Sequence, residues 1–138
     1  MTATVVTLVD AVPEPLPEVT FLGPDGKDWP DNGLRFAALA QIAAEIGRGL
    51  VADFTPDLVH CHDWQAGLAP AYLRYGPQTG VKSVLTIHNI AFQGIAAPYK
   101  LGALRLPGWA YSAEQVEYYG NISTLKAGLV TADAITTV

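Results

Sequence analysis

From residue 57 the chain switches repeatedly between two hydrophobic periods, and this limits its fold more than any other feature. DLVHCH (57–62) reads as a short buried strand after Pro56. QAGLAPAYLRYG (65–76) reads as a short helix, disturbed in its first turns by Pro70 and ended by Gly76. KSVLTIH (82–88) is the clearest strand, ISTLKAGLVTA (122–132) reads as a helix and AITTV (134–138) as a further strand. Strand, helix, strand, helix, strand predicts βαβ units: an α/β fold with a Rossmann-like parallel sheet and flanking helices.

The remaining segments fit around that frame. TVVTLV (4–9) is β-branched and predicts a strand. Residues 12–30 hold five prolines and two glycines, which exclude helix and predict a loop. A helix is expected over about 33–50, with Asp31 or Asn32 as its N-cap. Gln41, Glu45 and Arg48 share one stripe of it, and the rest is apolar, so most of this helix should be buried. A loop with Gly94 and Pro98 follows the 82–88 strand, and SAEQVEYYG (112–120) reads as a short helix capped by Ser112.

The chain has 138 residues, the length of one domain. Its net charge of −5 and lack of a basic run argue against nucleic acid and anionic membranes as partners. The N-terminus has no basic region before an apolar core, and no apolar run approaches a membrane span. A soluble, cytoplasmic protein is the default; no transit peptide is seen that would direct it to a plastid. The single cysteine cannot form an internal disulfide, which fits a reducing compartment.

In an open parallel sheet, ligands bind beyond the carboxyl ends of the strands. Two strands here end in polar residues of catalytic type: His62-Asp63-Trp64 and His88-Asn89. If those strands are neighbours, both clusters line one edge and build one pocket. His60 and His62 share a strand face, so with Asp63 they could hold a metal, although strand alternation puts Cys61 and Asp63 on the other side. A hydrogen-bonded strand-end role is the simpler reading of His60. Cys61 sits mid-strand between two histidines that point to the opposite face, and reads as a small buried hydrophobe rather than a nucleophile. Gly94, Gly102, Gly108 and Gly120 build no phosphate loop. Trp109, Tyr111, Tyr118 and Tyr119 could stack on sugars but read more simply as packing. Trp64, at a strand end beside Asp63, is the better sugar platform.

GPDGKDWPDNGLRFAAL, PDLVHCHDWQAGLAPAYLRY, LTIHNIAFQG and EYYGNISTLKAGLVTADAITTV follow in this order. Together they resemble the N-terminal catalytic domain of bacterial glycogen synthase and plant starch synthase, from about residue 20 to the end. The resemblance implies the GT-B architecture, in which two Rossmann-like domains close over a cleft. It implies glucosyl transfer from ADP-glucose to the non-reducing end of an α-1,4-glucan, with retention and without a metal or other cofactor. It puts Asp63 and Trp64 in the cleft, His88 beside the donor glucose, and Asn89, Gln93 and Gly94 near the sugar and acceptor.

The departures from that family are as informative. Residues 1–30 hold no Lys-x-Gly-Gly-Leu-Ala-Asp donor loop, and Phe21 stands where a Tyr is usual. The family's second domain, with its Arg/Lys pair for the diphosphate and a key Glu, has no counterpart in 1–138. The expectation is therefore a partial N-terminal half of a GT-B enzyme, inactive alone, whose partners are ADP-glucose, the glucan and the absent C-terminal domain. Two alternatives stay open: a non-catalytic glucan-binding or interaction module, and a metal-dependent hydrolase using His60, His62 and Asp63.

Overall fold

The structure, a computed structural model, describes the backbone of residues 5–8 and residues 22–138 in full. The expected loop lies outside the described residues over 12–21, as does Phe21. Strand β1 (Val5–Leu8) is followed by helix α1 (Asn32–Gly47) and strand β2 (Leu58–His62). Short helices α2 (Asp63–Ala66) and α3 (Leu68–Tyr75) lead to strand β3 (Lys82–Ile87). Strands β4 (Ile95–Ala96), β5 (Glu117–Tyr118) and β6 (Asn121–Ser123) precede helix α4 (Thr124–Thr131) and strand β7 (Ala134–Thr137).

The main sheet has the order β1-β2-β3-β7 and is parallel throughout. Each strand lies beside the next in one direction, so right-handed crossovers carry α1, α3 and α4 to the same face. Alternation along the strands then decides what is buried. Val59, Cys61 and Leu85 point into one core with residues of these helices and are 0% exposed. A fully buried Val or Leu contributes about 1.5–3 kcal/mol. The opposite face carries His60, Thr86 and Thr136, joined in a polar row: His60 Nε2 lies 2.6 Å from Thr86 Oγ1, which lies 2.7 Å from Thr136 Oγ1. The flanking helices that the alternating pattern predicted are therefore present, and the described ones all lie on one side. None of the described helices is long and apolar enough to cross a membrane.

Several expected boundaries move, each for a local reason. Helix α1 stops at Gly47 rather than 50 because Gly49 adopts φ +90°, and the amides of Gly49 and Leu50 fold back onto the carbonyls of Ile46 and Glu45. Asp31 occupies the cap position but makes no cap bond with its side chain; the Asn32 side chain bonds Asp28 (3.3 Å) and Arg35 (3.3 Å). The inner face of α1 is buried through Phe36, Ala37, Ala40, Ala43 and Ala44, whereas Ile42 stays exposed, so less of the helix is covered than its composition implied. The Gln41, Glu45 and Arg48 stripe forms as expected, with Glu45 accepting from both neighbours at 2.6 and 2.9 Å. The expected 65–76 helix divides at Gly67, and Gly76 ends it as predicted.

The largest difference lies at 112–120. No helix forms there: Ser112 accepts two backbone amides in a turn, and the chain enters a hairpin of β5 and β6. Tyr119 and Gly120 link the strands, with φ of +47° and +78°, the pairing of left-handed residues that a two-residue hairpin requires. Glu117 closes the turn by accepting from the Gly120 amide at 2.6 Å. Pairing of 121–123 also delays α4 to Thr124.

Helix α4 approaches the α2–α3 break so closely that only glycines fit. A Cβ on Gly67 would collide with the backbone carbonyl of Thr124, and one on Gly128 would sit 2.9 Å from the Gly67 oxygen. Backbone cannot swing aside as a side chain can. Gly67→Ala is expected to lower unfolding free energy by about 2 kcal/mol or more, read from the urea midpoint. An unchanged midpoint would mean that the two segments can separate without cost.

Candidate active site

Strands β2 and β3 pair in register, with His62 opposite Thr86, so they are neighbours and their carboxyl ends emerge side by side. Directly after β2 the chain turns sharply: Asp63 has φ +51°. That left-handed region costs a non-glycine residue roughly 1–3 kcal/mol, and Asp is among the few that enter it. The turn aims the carboxylate at the neighbouring strand. Asp63 Oδ1 accepts from the His88 amide at 2.7 Å and from the Asn89 amide at 3.3 Å. Hydrogen bonds to a charged acceptor contribute about 1.5–3 kcal/mol each, enough to offset the turn. Asp63 thereby fixes the backbone from which His88 projects.

The histidines divide as alternation demanded. The rings of His60 and His62 lie on one face, with centroids 4.4 Å apart. His60 is held by Thr86, the hydrogen-bonded role expected of it. His62 Nδ1 lies 2.9 Å from Nε2 of His88, a contact that no reading of the sequence had anticipated. The residues of the metal-hydrolase reading do not converge: Asp63 turns to the β3 exit, and among the described residues no three His, Cys, Asp or Glu side chains are grouped to hold a metal ion. Cys61 is buried on the other face, and burial pushes its thiol pKa up to about 12, so it is no nucleophile.

The loop after β3 is built from both sides. Asn89 Oδ1 accepts from the Ala91 amide at 2.9 Å, and Gln93 Nε2 donates to the Ile90 carbonyl at 2.7 Å. Ser123, at the N-cap of α4, donates to the backbone carbonyl and the side-chain oxygen of Gln93 at 2.9 and 3.0 Å. It also accepts from the Lys126 amide at 3.0 Å. The first amides of α4 go to the same loop: Thr124 donates to Gly94 and Leu125 to Gln93, each at 3.2 Å. Thr124 Oγ1 donates to the Trp64 carbonyl at 2.9 Å. Gly94 has φ +61°, and a Cβ there would lie 2.6 Å from the Trp64 ring. Asn89 and Gln93 thus both bond within the loop, and Gly94 lets the loop close on Trp64.

Trp64 is half-buried, edge-on to Phe36 with centroids 5.0 Å apart. It forms one wall of a cavity of about 370 Å³ with Asn32, Phe92, Gln93, Gly94 and Tyr118. Asp63, His88 and Asn89 are not among its walls. The six residues marked by sequence lie in two adjoining groups: a strand-end group of half-buried Asp63 with exposed His88 and Asn89, and a cavity group of Trp64, Gln93 and Gly94. The other aromatics form no common platform. Trp109 packs on Tyr75, while Tyr118 and Tyr119 sit on the β5–β6 hairpin. A separate cavity of about 510 Å³, with Glu45, Arg48, Tyr75 and Arg105 in its wall, lies at the C-terminal ends of α1 and α3. Those helices run against the strands, so it is at the far end from this site.

Sequence reasoning missed Ser123 and Thr124, and it placed His62 at the strand end without its contact to His88. The Ser-Thr pair carried a usable signal, because a hydroxyl at a strand-to-helix junction is a cap signature. The His62–His88 contact carried none, since it arises only from register.

A family profile described as the starch synthase catalytic domain matches residues 13–138. Glycogen synthase from Rhodopseudomonas palustris (strain TIE-1) is 60% identical over 119 residues, covering 86% of this chain and 24% of the relative. Glycogen synthase 2 from Bradyrhizobium diazoefficiens is 59% identical over 114 residues, 83% of this chain and 24% of the relative. The chain thus spans about a quarter of the length of these curated relatives. Among solved structures, the catalytic domain of starch synthase IV from Arabidopsis thaliana, bound to ADP and acarbose, superposes with a TM-score of 0.71 at 23% identity. That match covers 86% of this chain and 24% of the other, and it establishes the shared Rossmann-like, GT-B type fold.

Two outcomes follow from the geometry. In Asp63→Ala, amide hydrogen exchange at His88 and Asn89 should accelerate by at least about tenfold, since each 1.4 kcal/mol lost is a tenfold change; unchanged exchange would show that the carboxylate does not hold this exit. Cys61 should resist iodoacetamide at pH 8 in the folded protein and react once urea unfolds it; rapid native labelling would contradict its burial.

Proposed function

The chain belongs to the starch synthase catalytic-domain family, and on that premise we propose that it supplies the sugar-facing strand ends of a retaining glucosyltransferase. The complete enzyme moves glucose from ADP-glucose to the non-reducing end of an α-1,4-glucan. The observation that carries this reading is the Asp63 carboxylate holding the His88 and Asn89 amides at the ligand-binding edge of the sheet. The ADP and acarbose bound by the Arabidopsis relative support an adenine-nucleotide donor and an α-glucan acceptor.

The chemistry sets the tasks. Cleaving the bond from glucose to diphosphate builds positive charge on the sugar and negative charge on the leaving group. Fixed dipoles and charges aimed at those atoms lower the barrier most. His88, exposed at a rigid strand end, orients the donor sugar through a hydroxyl contact. Asp63 acts one step back as a positioning residue, because its carboxylate accepts from the backbone amides of His88 and Asn89. The cavity against Trp64 offers an apolar wall for a glucan ring, in a loop shaped by Asn89, Gln93 and Gly94. None of these residues supplies a countercharge for diphosphate. That task falls to a donor loop and a second Rossmann-like domain of the complete enzyme, its proposed partner. No metal is part of the proposal, and the cytoplasm is the proposed compartment.

In a complete synthase carrying this segment, His88→Ala should lower kcat by about 100-fold or more, the scale of losing one transition-state contact. A rate within about threefold of the parent, on the same scale, would remove His88 from the site. The 138-residue chain alone, mixed with ADP-glucose and glycogen, should give no steady ADP release. Sustained release would overturn the division of labour between this segment and its partner domain.

A further inference from the structure

Two consecutive residues at the end of β2 hold one residue at the end of β3. Asp63 takes the His88 backbone amide at 2.7 Å, and His62 Nδ1 sits 2.9 Å from Nε2 of the His88 ring. His62 is well placed to be the fixed partner. It is the last residue of β2, paired in the sheet opposite Thr86, and half-buried. Its ring lies 4.4 Å from that of His60, which is itself tied through Thr86 to Thr136. His88, by contrast, is exposed.

A hydrogen bond between two imidazole nitrogens holds one proton. One nitrogen must donate and the other accept. In a neutral His88 ring the state of Nε2 dictates the state of Nδ1. If His62 donates, His88 Nδ1 carries a proton and offers a donor; if His62 accepts, His88 Nδ1 offers a lone pair. Either arrangement fixes both the rotation of the ring and the single role left to Nδ1. Without His62 the exposed ring would turn, and its two neutral tautomers would interconvert.

We propose that His62 is a positioning residue for the transfer reaction, fixing the rotation and tautomer of His88 through the Nδ1–Nε2 hydrogen bond. This rests on the reading that His88 meets the donor sugar. The tests separate the two claims.

In a complete synthase carrying this segment, His62→Leu should lower kcat by about 10- to 100-fold, the scale of misplacing a catalytic group. The KM for ADP-glucose should change little. Asn places an amide where Nδ1 stood and Gln places one nearer Nε2, so His62→Asn should restore most of the rate and His62→Gln should not. The double variant His62→Leu/His88→Ala should be no slower than His88→Ala alone, since a residue acting only through His88 has nothing further to lose. Losses that multiply in the double variant, or equal rates for the Asn and Gln variants, would overturn the proposal. Imidazole ¹⁵N shifts give a readout independent of turnover. His88 should show one tautomer in the parent and a mixture in His62→Leu; unchanged shifts would also overturn it. Full activity in His88→Ala would instead refute the sugar-contact reading, while the ¹⁵N shifts still decide whether the two rings are coupled.

Discussion

Parallel strands leave a sheet side by side, and nothing in the backbone ladder controls where they go next. Here the control is a single carboxylate. Asp63 enters the left-handed region so that Oδ1 can reach across to two amides of the neighbouring exit. The unfavourable φ and the charge-assisted bonds belong together: a residue with ordinary φ would carry the carboxylate along β2 and leave the His88 and Asn89 amides to solvent. Everything beyond β3 begins from that fixed point, including the direction of the His88 ring and the entry into the 88–95 loop.

The far side of that loop is fixed by a helix that has no other way to satisfy its own start. The leading amides of α4 have no partners within the helix, and they take the carbonyls of Gln93 and Gly94. Ser123 completes the junction by capping the helix and holding Gln93 at once. Close approach makes this possible: Gly67 and Gly128 let α4 lie against the α2–α3 break, and Gly94 lets the loop lie against Trp64. Site and core are thus one packing problem. Thr124 shows it most directly, because its hydroxyl bonds the Trp64 carbonyl while its amide bonds Gly94.

The βαβ frame was legible because short strand-like runs alternate with helical ones, and the central pair β2 and β3 buries Val59, Cys61 and Leu85 on one face. The adjacency of His62-Asp63-Trp64 with His88-Asn89 was expected because sequential strands are usually neighbours, and strand alternation placed Cys61 away from the histidines. What local sequence could not show was whatever depends on contact between segments. The 117–123 hairpin needs Tyr119 and Gly120 both at positive φ, which a run such as SAEQVEYYG conceals beneath good helix formers. The end of α1 turned on Gly49, whose capping role appears only once its amide finds Ile46. The bonds of Asn89 and Gln93 within their own loop could not be read from the sequence either, since they form only once 88–94 is folded. The division of the site into strand ends and a Trp64 cavity likewise depends on how 88–94 folds between them.

The central claim is that sugar chemistry takes place at the β2–β3 exits, with the glucan against Trp64. A crystal structure of a complete synthase carrying this segment, bound to ADP and a maltooligosaccharide, measures it most directly. The account expects a sugar hydroxyl within hydrogen-bonding distance of His88 and a glucose ring in the cavity walled by Trp64. Sugar seated between Glu45, Arg48 and Arg105 at the far end of the helices, with nothing beside His88, would contradict it.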